Sequence, residues 1–444
     1  KTDCGTVYIQ AALEGYPVRT ISSLDGCKSE TIVLPSTLKK IEVGAFDGCI
    51  NLRAIYFLGD MPEGRIPDGI FVSHLEGTSG WNEGEVSLLE VSEDSSGGFS
   101  YFIIEGKATV CSAIKGNRIS IPSQTIDGLP FRSIGDCAFM GSDVESVIIG
   151  EGIEEIGVRA FYGCWSLTDV VYPSTLKVFR DECFRECMRL TSVELSDVEF
   201  IGFEAFRECK TISSAIIPES TITLHDGAFY LCRSLRTIEI GHGLTAVPPR
   251  CFGYCDSIVE VVLPDDVVDI GWSAFYNCIS LESISLSKIC SIGDDAFYGC
   301  YYLNSIGALA SIIYVGDRAF SGCGSMESIT LADSLVSVGR EAFDRCRSLE
   351  TLRFLGDMPL LGEYSIPLET EVVCSSSHAS SWESYNGNLI VQNDRKEPSQ
   401  SGVVPWILFS FVGLSVIAII LVLRRRKRIT FHRMAALNPS QNGR

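Results

Sequence analysis

Histidine is scarce in this chain, with five residues in 444 (His74, His225, His242, His378 and His432), and they are scattered. None forms an H-E-x-x-H pair or a triad pattern, so each reads as a surface side chain rather than a catalyst. No Cys-x-x-Cys pair lies near a histidine, which excludes a tetrahedral zinc site. A Gly-rich phosphate loop is also missing, and with it the usual nucleotide sites. Asn-x-Ser/Thr acceptors are absent, because Asn438-Pro439-Ser440 is blocked by its proline. Positive charge is short as well: 36 Lys and Arg stand against 56 Asp and Glu, a net charge of −20. Without a basic stripe to neutralise phosphates, nucleic acid is not an expected partner. These gaps point to a chain without catalytic residues, metal or cofactor.

What the chain does have is a period. A phenylalanine returns every 22 or 23 residues, at Phe139, Phe161, Phe184, Phe206, Phe229, Phe252, Phe275, Phe297, Phe320 and Phe343. Ala precedes it in eight of the ten cases and Cys in two, Cys183 and Cys251. One coil reads IGVRAFYGCWSLTDVVYPSTLKV from Ile156, and later coils follow I-G-x-x-A-F-x-x-C-x-S-L-x-x-I-x-L, often ending in Pro. A period of this size marks a solenoid, in which a lone coil cannot bury its apolar face and stacking completes the core. The Leu-x-x-Ile-x-Leu segment predicts a short parallel strand, with Val193 and Leu195, or Ile284 and Leu286, pointing inward. Pro173, Pro218 and Pro264 would end it. Gly157, Gly202, Gly271, Gly293, Gly316 and Gly339 predict a turn before each Ala-Phe pair. The pair itself predicts a short helical or 3₁₀ turn with the rings stacked from coil to coil.

This unit resembles the BspA-like class of leucine-rich repeats, and the resemblance covers nearly all of residues 18–390. The fold it implies is an α/β solenoid of 22–23-residue coils with parallel strands. The Asn/Cys slot after the strand is filled irregularly (Thr175, Asp266, Ile289), so the asparagine ladder of ordinary leucine-rich repeats should be missing.

The motif FLGDMP occurs at 57–62 and again from Phe354, each time followed by a Pro-containing loop and a Trp (Trp81, Trp382). It looks like the family's C-terminal cap. The expected order is therefore a short capped block over 1–91, a flexible link over 92–98, and the main solenoid over 99–392. In the main block, the segment from Phe99 predicts strands that cover its N-terminal end. A polar stalk follows over 393–402. Residues 403–423 contain no charge, and 21 residues at about 1.5 Å each match a bilayer core of about 30 Å. Arg424, Arg425, Arg426, Lys427 and Arg428 follow at once, as a stop-transfer signal does. This predicts one C-terminal transmembrane helix in the plasma membrane, with the N-terminal part outside and the basic tail, 424–444, in the cytoplasm. Residue 1 is Lys and no signal peptide is visible, so a processed or longer precursor is expected.

Ten of the 18 cysteines fall at one fixed slot: Cys49, Cys164, Cys187, Cys209, Cys232, Cys255, Cys278, Cys300, Cys323 and Cys346. Such regularity predicts a column of small buried thiols rather than disulfides. The pairs Cys183/Cys187 and Cys251/Cys255 have a spacing that also permits a bridge.

On each strand the residue before the inward Ile or Val should face out. These are Ser146, Asp169, Ser192, Ser214, Thr237, Glu260, Ser283, Ser305, Ser328 and Thr351, eight of ten being Ser or Thr. The neighbouring outward column includes Ile148, Val171, Glu194, Ile216, Glu239, Val262 and Ser285. Ser and Thr fit crowded parallel strands for packing reasons alone. The alternative is a shallow polar binding surface with apolar steps at Val171, Ile216 and Val262. The resemblance to leucine-rich solenoids, which bind on the strand-lined face, makes Asp169, Val171, Ser192, Glu194, Ser214, Ile216, Thr237, Glu239, Glu260, Val262, Ser283 and Ser285 the candidate ligand residues.

The resemblance also implies adhesion to a protein or glycan on a host or neighbouring cell, with an Arg-flanked span pointing to a unicellular eukaryote. A second reading is a signalling or endocytic receptor working through a cytoplasmic adaptor. A third is a surface enzyme, whose mark would be a cleft of convergent titratable groups.

Overall fold

The computed structural model describes residues 6–392, apart from short stretches at 10–11, 14–15, 25–26, 28, 30, 68–69, 76–77, 82–86, 90, 95–96, 105 and 114–115. The expected stalk, membrane helix and tail, including Arg424–Arg428, lie outside the described residues. Among the described residues no helix is long and apolar enough to cross a membrane.

Each coil of the main solenoid has three sides. The first carries the predicted strands, for example Ser214–Ile217 beside Thr237–Ile240, paired in parallel register with Ser214 opposite Thr237 and Ile216 opposite Glu239. Period-two burial holds: Val193 and Leu195 are 2% and 7% exposed, Ile284 and Leu286 2% and 0%. The second side is a ladder of two-residue strands, such as Glu155–Ile156 and Val178–Phe179, just before the repeat glycine or, as at Arg180, the residue in its place. Sequence periodicity did not disclose this ladder, because two residues make no alternation to detect.

The third side holds the Ala-Phe pairs, and here the α/β expectation is corrected. The coils contain turns rather than helix. Among the described residues the one helix is a single 3₁₀ turn, Ala379–Trp382, in the C-terminal cap. The solenoid is thus nearly all strand and turn. Each Ala-Phe pair is flanked by two left-handed residues, Arg159 (φ 55°) and Gly163 (φ 67°) in the coil of Phe161. In such a turn the N–H groups of Arg159, Phe161 and Gly163 donate to carbonyls of the following coil (Asp181, Cys183, Arg185) at 2.7–3.0 Å. A helix would spend these donors inside its own coil. Here they link neighbouring coils instead.

The ten phenylalanine rings form one column, with nine successive pairs stacked at 4.8–5.9 Å. The core around them runs without a break from Phe99 to Trp382. The repeat glycines mark close approach rather than a special turn angle. A Cβ on Gly157 would lie 2.7 Å from the backbone N of Asp136, and one on Gly316 2.6 Å from that of Asp294.

The slot at Thr175, Asp266 and Ile289 carries no asparagine ladder; aspartates bridge coils at a different point, just after the repeat glycine or the residue in its place. The Asp136 carboxylate accepts the Val158 N–H at 2.8 Å, Asp181 that of Phe203 at 2.9 Å, Asp294 that of Asp317 at 2.8 Å, and Asp317 that of Arg340 at 2.7 Å. Burial pushes the Asp136 carboxyl up to about 6, against the Val158 hydrogen bond that favours its charge.

Residues 1–393 form one compact unit. The first block has its own small core around Ile32, Ile55 and Phe57. Where a flexible link was expected, Val91–Asp94 is a strand paired antiparallel with Phe99–Ile104, which in turn pairs with Lys107–Ala113. Val33 of the first block packs against Phe102 and Ile104 of that hairpin, so the short block stacks on the large one. Both FLGDMP segments lead to an aromatic lid: Trp81 lies 4.8 Å from Phe57, and Trp382, fully buried, 4.7 Å from Phe354.

Candidate functional site

The strand face displays its predicted columns. Asp169, Ser192, Ser214, Thr237, Glu260, Glu239 and Ser285 are exposed, and Ser283 is half-buried. The apolar steps are open to solvent, at 56% for Val171, 45% for Ile216 and 67% for Val262. Glu194 is placed on this face by its backbone pairing with Ile216. Parallel pairing sets these residues side by side, with Glu260 opposite Ser283 and Glu239 opposite Val262. A shallow depression lies over Glu260, Val262, Ser283 and Ser285.

The cysteine column supports the core rather than a site. All described cysteines are free thiols, including the two pairs whose spacing permitted bridges. The thiol of each coil donates to the carbonyl of the preceding coil's phenylalanine, at 2.9–3.3 Å in nine successive steps. Burial raises most of these thiols, Cys300 and Cys346 to about 12, so they stay protonated and able to donate. Cys164 shifts downward, because the Cys187 thiol hydrogen-bonds it. Among the described residues no group of three His, Cys, Asp or Glu is placed to hold a metal ion. His74 stacks on Trp81 at 4.9 Å, while His242 and His378 pair with Asp266 and Asp357 at 2.8 and 2.9 Å.

The turn side carries a feature that the reading of the strands overlooked. Glu182 and Glu204 are 2% and 3% exposed, and Arg185 bridges them at 3.0 and 2.7 Å. Arg159 holds the other side of Glu182 at 2.7 Å, and Arg207 that of Glu204 at 2.7 Å. Tyr162 and Tyr230 close the two ends, with guanidinium groups of Arg185 and Arg207 5.6 and 5.2 Å from their rings. Tyrosines continue the line: Tyr254 to Tyr276 at 5.3 Å, then Tyr276 to Tyr298 at 5.0 Å. Beyond Tyr298 lies an open cavity of about 250 Å³ with Asp295, Arg318, Glu341 and Asp344 on its walls. Its carboxylates stand in ion pairs, Asp295 with Arg318 at 2.7 Å and Asp344 with Arg345 at 3.3 Å. The signal was in the repeat itself, since the residue after the phenylalanine is Tyr in four coils (Tyr162, Tyr230, Tyr276, Tyr298).

No curated protein matches the chain. Similar solved structures include a leucine-rich cell surface protein from Faecalibacterium prausnitzii, at 23% identity and TM-score 0.46, over 71% of this chain and 99% of that one. The leucine-rich repeat protein of T. pallidum is 25% identical with TM-score 0.31, over 53% of this chain and 91% of its own. The pneumococcal vaccine antigen PcpA is 16% identical with TM-score 0.36, over 88% of both chains. The family model for the BspA type leucine-rich repeat region matches in six copies, over residues 21–66, 115–222, 180–304 and 290–366. These matches span more than half of the sequence and coincide with the stacked coils, so the chain belongs to the BspA type leucine-rich repeat family.

Proposed function

We propose that this chain is a non-catalytic cell-surface protein that adheres to or recognises a macromolecule on another cell or on its matrix. The observation that carries the reading is the strand face. It exposes a column of small hydroxyl and acidic side chains beside apolar steps at Val171, Ile216 and Val262, in a register fixed by the parallel ladder. A rigid array of this kind suits an extended partner. The charge-free run 403–423 and the five cations after it support a membrane anchor with the acidic part outside. Labelling of intact cells from either side of the membrane tests that orientation.

The binding test uses the full chain against immobilised matrix proteins and glycans. Replacing Ser192, Ser214 and Thr237 together by Glu should weaken binding at least tenfold, because each adds a charge to an already acidic face. Unchanged affinity with the far-ultraviolet spectrum and melting temperature retained would remove the strand face as the binding surface.

A further inference from the structure

One outward column of the strand face changes character coil by coil. It reads Val171, Glu194, Ile216, Glu239, Val262, apolar and acidic in turn. Backbone pairing keeps that order in space: Glu194 stands opposite Ile216, Ile216 opposite Glu239, and Glu239 opposite Val262. Between the coil of Val171 and the next, the Thr191 N–H donates to the Thr168 carbonyl at 3.2 Å and holds the two in step. Like charges directly opposite one another repel, so separating the glutamates stabilises the ladder. Serine would separate them as well, yet each place between holds a β-branched side chain open to solvent. Neighbouring parallel strands lie about 4.8 Å apart, so the apolar steps repeat at about 9.6 Å across the coils.

That repeat selects a backbone form for the partner. In polyproline II three residues of about 3.1 Å each return to the same face after about 9.3 Å. An α-helix returns after seven residues, about 10.5 Å, and over two repeats runs about 2 Å out of step, against about 0.6 Å for polyproline II. In an extended strand the residues of one face recur at about 6.8 Å, which fits neither one coil nor two. We propose that the strand face binds a single-chain, cationic polyproline II segment lying across the coils. Every third residue, proline or another apolar one, rests on Val171, Ile216 and Val262, and a Lys or Arg between them meets the acidic steps. This rests on the strand-face reading and names its partner.

The chemistry of the face agrees. Glu239 is exposed and has only Ile216 and Val262 opposite it in the ladder, so its charge is open to an incoming cation. The net charge of −20 draws such a segment in. Ser192, Ser214 and Thr237, all exposed, form the parallel column two residues back along the strands. A polyproline II chain leaves its carbonyls without internal hydrogen bonds, and these hydroxyls can donate to them. Proline has no N–H, so its backbone asks for no acceptor in return. The segment is ordered before it binds, which lowers the entropy cost. A glutamate at Ser192, Ser214 or Thr237 removes a donor and sets a carboxylate against those carbonyls, so it weakens binding even of a cationic segment.

The test is fluorescence anisotropy on the full chain with three labelled peptides of equal length and charge. One is (Pro-Pro-Lys)4, one an alanine-rich helix with four Lys, and one a Val/Thr-rich extended peptide with four Lys. The polyproline peptide should bind at least tenfold more tightly than either other. Glu194→Ile combined with Ile216→Glu keeps charge and composition but moves the middle step by one coil, and should lower that affinity at least tenfold. Ile216→Ala, expected to lower it at least threefold, is the second variant if the double one misfolds. Failure of (Pro-Pro-Lys)4 to bind, equal binding of the helical or extended peptide, or full affinity of these variants with the melting temperature retained would each overturn the proposal. If the peptide fails while a matrix protein still binds and the Ser192, Ser214 and Thr237 substitutions weaken that binding, the strand face remains the binding surface and the polyproline partner is wrong.

Discussion

Tyr172 has a hydroxyl with no hydrogen-bond partner, buried between Phe179 and Phe184 at ring distances of 5.6 and 6.1 Å. Burial, with the nearby thiols of Cys183, Cys187 and Cys209, drives its ionisation well above the ordinary tyrosine range. The same slot holds Ile149, Leu195 and Ile217 in neighbouring coils, so nothing in the repeat requires oxygen there. Removing an unsatisfied buried hydroxyl recovers its desolvation penalty, on the order of 1–3 kcal/mol. Tyr172→Phe should therefore raise the urea midpoint, and a lower midpoint would mean that the hydroxyl has a partner after all. The cysteines make the opposite case. Sequence spacing placed them in the core, but only the coordinates reveal why the slot prefers a thiol to alanine: each one completes a bond to the preceding coil's carbonyl.

At the scale of the element, the strands of the first side were legible, while the two-residue ladder and the turns were not. Period-two alternation announced which of Val193, Leu195, Ile284 and Leu286 would point inward. The turn conformation left no such mark. Fifteen of the twenty left-handed positions flanking the Ala-Phe pairs are filled by residues other than glycine, among them Arg159, Glu182, Leu231 and Tyr254. A left-handed residue with a side chain costs about 1–2 kcal/mol, so sequence reading assigns such positions to helix or strand. The bonds between coils offset that strain here. The repeat glycines misled in the other direction, because a glycine ahead of a motif suggests a turn, whereas these make room for a neighbouring backbone. Gly316→Ala would place a methyl 2.6 Å from the Asp294 nitrogen and the Gly293 carbonyl carbon. It should lower stability by roughly 1–3 kcal/mol in chemical denaturation, since backbone cannot yield as a side chain can. A substitution at exposed Gly128, with nothing within 4 Å of a Cβ, offers the comparison, its strain being limited to its φ of 80°.

On the scale of the whole molecule, stability is the sum of coils and of the contacts between them. Phe229 stacks on both neighbours, at 5.3 and 5.9 Å, in the middle of the column. Phe229→Ala should cost about 3–5 kcal/mol and loosen the coils on either side before the rest. The row of thiol-to-carbonyl bonds makes that opening countable. In the intact chain an alkylating reagent should reach only the partly exposed cysteines among those described, Cys27, Cys111, Cys137 and Cys290. Every turn that comes apart surrenders its own sulfur to the reagent. Mass spectrometry of the alkylated Phe229→Ala chain should then read out, adduct by adduct, how far the breach has spread from Cys232 and Cys255, making the protein its own ruler of partial unravelling.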